Sequence, residues 1–239
     1  GRHSEPDAGE TVGAVLAGRA GAMVSAGATA AAVTAAVHGL GRFAGLRRPP
    51  LAATIPSLAG PVVMLDLGAA ADASVTDLLW YAVLGARYSQ LVEGVDAPRV
   101  GLLSIGVEPG KGDRLRRATA AAMAALPLPV GARYIGLVEG HDVPMGGPAD
   151  VVVTEGFTGN VLLKGIEGAY ALAAAACLAP FEVPRAAALL GVNGTVVVCH
   201  GAATATDVAA GIALAARLHR LEVSARLAAV ARELPVEAR

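Results

Sequence analysis

Only two lysines occur in the 239 residues, Lys111 and Lys164; every other basic side chain is an arginine or a histidine. Each lysine sits in a glycine-rich stretch, "EPGKGD" at 108–113 and "GFTGNVLLKG" at 156–165. A compact ammonium is not interchangeable with a planar guanidinium where a phosphate or a carbonyl oxygen must be met at close range. Both stretches therefore read as candidate sites for an anion or a polarised carbonyl. The second belongs to "DVVVTEGFTGNVLLKGIEG" (150–168), which reads as a strand, a glycine-punctuated turn and the start of a helix. Helix N-termini favour anions, because their first N–H groups and the helix dipole point the same way.

The elements that must hold these residues alternate along the chain. Short apolar runs read as strands at 21–27, 51–56, 61–68, 99–106, 132–138, 149–156 and 194–201. Helical patterns follow at 29–42, 75–93, 112–126, 158–179 and 204–233. Near-continuous apolar strands with helical crossovers predict an α/β fold, a mostly parallel sheet covered on both faces. The runs at 51–56 and 61–68 are too close for a parallel crossover, so one of them is expected to be antiparallel. In such sheets ligands sit at the carboxyl ends of strands. Glycines and small polar residues collect there, in "SAGATA", "DLGAAAD", "SIGVEPGKGD", "EGHD", "EGFTGN" and "HGAATATD". The turns after residues 25, 66, 104, 138, 154 and 199 are expected to converge on one crevice.

Composition removes several alternatives. Hydrophobic residues make up 54% and charged residues 16%, enough for a substantial core. A net charge of -1 without a basic stripe, and 3% aromatics, argue against nucleic-acid binding. Neither a membrane span nor a signal peptide stands out, so an intracellular, cytoplasmic protein is the default. Cys177 and Cys199 lie in apolar runs and read as buried, reduced thiols. His3, His38 and His219 read as surface or core residues, whereas His200 ends a strand at the crevice. No His, Cys and carboxylate cluster has metal spacing, so neither metal nor cofactor is expected. "GVEPGKGD" lacks the spacing of a P-loop.

In order and spacing, several segments resemble the PlsX family of phosphate acyltransferases. They are "VSAGATAA", "RPPLAATIPS", "LDLGAAAD", "YAVLGARYSQLVEGVDAPRVGLLSIGVEPGKGD", "YIGLVEGHDV", "ADVVVTEGFTGNVLLKGIEG" and "LLGVNGTVVVCHGAATATDVAAGI". The resemblance covers about residues 10 to 225. It implies a three-layer fold like that of isocitrate and isopropylmalate dehydrogenases and phosphotransacetylases. It also implies conversion of acyl-[acyl carrier protein] and inorganic phosphate to acyl phosphate, for phospholipid synthesis. Acyl carrier protein and phosphate are then the partners, with a homodimer and weak peripheral membrane association.

Phosphate is itself a nucleophile, so positioning and oxyanion stabilisation can supply most of the catalysis. On this reading Lys164, Asn160 and Lys111 are the catalytic candidates. Lys164 lies about one turn beyond Asn160 on the same helix face. The turn at 156–160 is expected to offer backbone N–H groups, a hydroxyl and an amide. Ser25, Gly27, Thr29, Asp66, Gly68, Ser104, Glu108, Asp142, Gly156, Thr158, Gly159 and His200 are the substrate-binding candidates. Glu108 and Asp142 would orient the cations. The chain departs from the family in places. It reads as one domain over 1–239 without the family's N-terminal segment, and only "APFEVPRAAA" stands where the family carries a longer helical insertion. Family asparagines are replaced by Ala28, Ala70 and Ser104, a family arginine by His141, and a Ser-Ser-Asp by Ala202, Ala203 and Thr204. These losses leave a rival reading open, a non-catalytic or altered-specificity paralogue that binds carrier protein or acyl groups.

Overall fold

The computed structural model describes residues 8–176, 183–199 and 203–233. Eight strands form one sheet: β1 (Ala22–Ser25), β2 (Leu51–Ile55), β3 (Val62–Leu65), β4 (Arg99–Leu103), β5 (Arg133–Val138), β6 (Val151–Val153), β7 (Ala186–Leu189) and β8 (Thr195–Cys199), in the order β1-β8-β7-β2-β3-β6-β4-β5. Among the described residues, eight α-helices flank it: α1 (Ala8–Leu16), α2 (Thr29–Leu40), α3 (Val75–Tyr88), α4 (Arg114–Ala124), α5 (Asp142–Met145), α6 (Gly156–Ala175), α7 (Ala205–Arg220) and α8 (Val223–Glu233).

Strand periodicity divides the core into two layers. Val63 and Leu65 of β3, Val100 and Leu102 of β4 and Val197 of β8 pack toward α3, α4, α7 and α8. Their neighbours Val62, Met64, Leu103, Val196 and Val198 pack toward α1, α2 and α6 on the opposite face. Successive side chains of a strand point to opposite faces, so strands apolar at every position must be covered twice. The expected three-layer α/β sandwich with a mostly parallel sheet is what these contacts build.

The sheet is nonetheless mixed, and this corrects the expected single crevice. β1 pairs parallel with β8, and β3, β6, β4 and β5 are mutually parallel. β2 is antiparallel to both β3 and β7, and β7 is antiparallel to β8. Direction therefore reverses three times across the sheet. The carboxyl ends of β3, β4, β5 and β6 lie at one edge, and those of β1 and β8 at the other. The antiparallel character expected of the 51–68 pair is present. The second source of reversal, β7, is the strand "AAAL", whose composition carries no strand signal. The link 190–194 is too short for a parallel crossover, so β7 and β8 must pair as a hairpin.

Other boundaries shift locally. α1 lies in a stretch that the apolar patterning does not single out. The final helix is two helices, α7 and α8, broken where Glu222 takes φ 53. Ser74 and Asp77 form a reciprocal capping box that fixes the start of α3. Ala28, the N-cap of α2, provides no side-chain cap.

Candidate functional site

α6 begins at Gly156, two residues earlier than the patterning predicts, so Thr158, Gly159 and Asn160 are already helical. Its N-cap is Glu155, whose carboxylate accepts from the Thr158 N–H at 3.0 Å and from the Thr158 hydroxyl. The Gly156 N–H donates to Ala70 O at 2.9 Å, and the Gly159 N–H to Glu155 O at 2.9 Å. These three N–H groups are engaged within the protein. The expectation that the turn presents them to a ligand is thereby corrected: a carboxylate from the chain itself occupies the anion-favouring end of the helix.

The glycines of this segment serve a different need. A Cβ on Gly159 would lie 1.8 Å from Asp66 O, and one on Gly156 would lie 2.3 Å from Ala70 O. α6 sits against the backbone of the 66–70 loop with no room for a methyl group. Asp66, a substrate-binding candidate, is fully buried. Its Oδ1 accepts from the N–H groups of Leu51, Gly68 and Ala69, and its Oδ2 accepts from Ala70. Burial raises its carboxyl above the ordinary value, and the backbone donors, Ala69 first, pull against that rise. Asp66 thus shapes the loop instead of facing a ligand. Asn160 completes the clamp: its Nδ2 donates to Leu67 O at 2.9 Å. Gly68, at φ 123, leaves space for the Asn160 amide, which would lie 3.0 Å from a Cβ there.

Helical spacing then gives α6 two working flanks. Asn160, Lys164 and Glu167 line a cavity of about 260 Å³ between α6 and the start of α2, together with Thr29, Gly68 and Arg185. Ala53 of β2, Ala187 of β7 and Cys199 of β8 lie along it. β2, β7 and β8, which lie along the cavity, are four or five residues long, roughly 13–17 Å at about 3.3 Å per residue, so groups from both ends of the strands reach one cavity. Lys164 Nζ lies 2.8 Å from Glu167 Oε2. Across the cavity Arg185 Nη1 donates to Asp207 Oδ1 at 2.7 Å.

The other flank of α6, Thr158 and Leu162, faces a second cavity of about 340 Å³, lined also by Ser104, Ile105, Gly112 and Arg116. Arg116 is its most enclosed charge, with the side chain 11% exposed. It reaches Asp113 through Nη1 at 2.8 Å and Thr158 Oγ1 through Nη2 at 3.2 Å, and it pairs with Glu155. Burial pushes the Glu155 carboxyl up. The Thr158 hydroxyl and N–H and the Arg116 guanidinium outweigh this and hold it below the usual carboxylate range. Ser104 Oγ is buried without a hydrogen-bond partner among the described residues.

The remaining candidates are scattered. Ser25 ends β1 and accepts the Gly27 N–H at 3.3 Å. Lys111 and Glu108 are exposed, 4.0 Å apart, and line neither cavity. Asp142, the first residue of its short helix, accepts the N–H of Glu139 in the preceding turn at 2.9 Å, and its ion-pair neighbour is His141. Glu108 thus meets its lysine only at the surface, and Asp142 does not orient either lysine. His200 and Cys177 lie outside the described residues. Cys199 is buried, in accord with its apolar run, and burial raises its thiol above the ordinary value. Among the described residues there is no group of metal-binding side chains and no helix long and apolar enough to cross a membrane.

Patterning missed four charged residues here. Glu155 and Arg116 form an ion pair across elements 39 residues apart in sequence. Arg185 lies in the segment that reads as a mere bridge. Asp207 is strongly perturbed: hydrogen bonds from Thr204 and Arg185 lower it to about 2 from 3.8. A depressed folded value contributes stability above the unfolded value, which is lost as pH falls through the folded one. Acid unfolding between about pH 4 and pH 2 should therefore become less steep in Asp207→Asn, as followed by circular dichroism.

Comparison with known proteins places this arrangement. The fold is shared with phosphotransacetylases. EutD phosphotransacetylase from Staphylococcus aureus aligns at TM-score 0.60 and 17% identity over 92% of this chain and 67% of its own. A branched-chain phosphotransacylase from Enterococcus faecalis V583 aligns at TM-score 0.60 and 18% identity, covering 88% of this chain and 78% of its own. The model of the family described as "Fatty acid synthesis protein" matches residues 8–183. A phosphate acyltransferase of Thermobifida fusca is 40% identical over 230 residues, 85% of this chain, and one of Erythrobacter litoralis is 39% identical over 254 residues, 95% of this chain. The chain belongs to this fatty acid synthesis protein family, the PlsX family that its motifs resemble. It spans 64% of the length of the Thermobifida relative and 71% of the Erythrobacter one.

Proposed function

We propose that the chain forms acyl phosphate from an acyl-[acyl carrier protein] and inorganic phosphate. The observation that carries this reading is the cavity between α2 and α6, where Lys164 and Asn160 stand beside the Asp66-organised loop. A phosphate oxygen attacks the thioester carbonyl carbon. The C–O bond forms, the C–S bond breaks, and the carrier leaves as its thiolate, which takes up a proton. Negative charge develops on the carbonyl oxygen, and Lys164 is the cation placed to meet it. The apolar second cavity, on the far flank of α6, suits the acyl portion of the substrate.

The family resemblance extends the proposal to acyl carrier protein as partner, a homodimer, a cytoplasmic location and weak peripheral membrane contact. A second reading, a binding protein without turnover, is favoured by the engaged N–H groups of α6 and by the uncapped Ala28. Incubating the purified chain with acyl carrier substrate and phosphate, then trapping product with hydroxylamine, separates the two. Acyl hydroxamate that depends on added phosphate is the expected result. None above the enzyme-free control would leave the binding reading.

A further inference from the structure

We infer that Arg185 is a second anion-binding residue of the cavity and that it grips phosphate from the wall opposite Lys164. The inference rests on the phosphate-binding reading above and assigns it a residue that no motif singles out. Lys164 approaches from α6, whereas Arg185 approaches from the residue before β7, and both line the same cavity. β7 runs antiparallel to β8 with Ala186 opposite Cys199, and this pairing sets Arg185 beside the carboxyl end of β8 and the start of α7.

Arg185 is held for this task. Its Nη1 donates to Asp207 Oδ1 at 2.7 Å. Asp207 is itself fixed: its Oδ2 accepts from the Thr204 N–H and from the Thr204 hydroxyl, both at 2.8 Å, in the capping box of α7. The carboxylate stays ionised, and it sets the plane of the guanidinium against a rigid helix start. A guanidinium held in a fixed plane matches phosphate geometry, whereas a lysine acts as a point charge. The division of labour follows. Arg185 orients the phosphate, and Lys164 is left to meet the charge that develops on the acyl oxygen. Glu167, the other charged group on the cavity wall, pairs with Lys164 at 2.8 Å. It keeps the pocket from being strongly cationic, which favours release of the doubly charged product.

The test measures inorganic phosphate binding to the full chain by thermal shift and by phosphorus NMR line broadening, with sulfate as competitor. Phosphate should stabilise the wild type saturably. Arg185→Gln should weaken its binding on the order of 10- to 100-fold, the loss of one charge-assisted contact. Arg185→Lys keeps the charge and still pairs with Asp207, and it should weaken binding by about 10-fold if the fork matters. In turnover, both variants should raise KM for phosphate and leave KM for the acyl carrier unchanged. Should Arg185→Gln fail to fold, as judged by circular dichroism, Arg185→Lys carries the test. Wild-type affinity for phosphate in the folded variant would overturn the inference, as would a wild type that binds no phosphate. Phosphate binding that depends on Arg185 in a protein without turnover would sink the activity and keep this assignment. Turnover with an unchanged KM for phosphate in both variants would do the reverse.

Discussion

Lys164→Ala should lower carrier-dependent acyl phosphate formation on the order of 100-fold, the scale of removing one preorganised charge stabiliser. Two effects add. The ammonium that meets the developing oxyanion is gone, and the Glu167 carboxylate, now without its 2.8 Å partner on α6, places negative charge beside the phosphate. The second effect can be separated. Glu167→Gln in the Lys164→Ala background should recover part of the loss, while Glu167→Gln alone should change turnover by no more than a few fold. Lys164→Arg should not restore activity, because a planar fork cannot occupy the position of a compact ammonium. Structural damage predicts otherwise. Lys164 is partly exposed on the helix, and exposed pairs spaced as Lys164 and Glu167 are contribute only about 0.2–0.5 kcal/mol, so all these variants should melt like the wild type. Wild-type turnover in Lys164→Ala would remove this cavity from the reaction.

Much of this arrangement is legible in the sequence, and the parts that are not share a cause. The apolar runs of β3, β4, β6 and β8 announce buried strands, because they are only three or four residues long, rich in β-branched side chains in β3, β6 and β8, and bounded by turn residues. Asn160 and Lys164 announce a common helix face by their spacing. Direction is not written in the same way. "AAAL" has the composition of a helix and becomes β7 only because β2 and β8 leave a gap that a strand must fill. That reversal sends the turns after β1 and β8 to the opposite sheet edge and brings Arg185 to the cavity. The partners of a buried charge are equally silent. Glu155 and Arg116 meet across 39 residues, and nothing local to either marks the other. A Glu is also an uncommon N-cap, so the patterning places the helix start at Thr158, three residues on.

Gly159→Ala should have the largest effect on stability, and its sign opposes the local rule. Alanine is the better helix former by about 0.8–1.0 kcal/mol, so an isolated helix would gain from the change. Here the new methyl group would lie 1.8 Å from Asp66 O and 3.0 Å from Asp66 C and from Thr154 Cγ2. The first two of these atoms are backbone and cannot swing aside. The loop they belong to is pinned by four N–H donors to the Asp66 carboxylate and by Asn160 Nδ2 on Leu67 O. Either α6 lifts off the sheet, exposing Leu163 and Ile166, or the loop moves and leaves Asp66 buried with fewer donors. Overpacking of a tight site costs about 1–3 kcal/mol, and a buried carboxylate that loses donors adds to that. Urea unfolding should therefore show a loss of at least about 2 kcal/mol relative to wild type. Gly165→Ala is the control: a Cβ there meets nothing within 4 Å, so the same substitution on the same helix should stabilise by up to about 1 kcal/mol. Opposite signs at the two positions would establish that the glycine at the helix start serves the close approach to the 66–70 loop. Stabilisation at both would mean that the loop yields, and the rigid wall on which the Lys164 cavity depends would not exist.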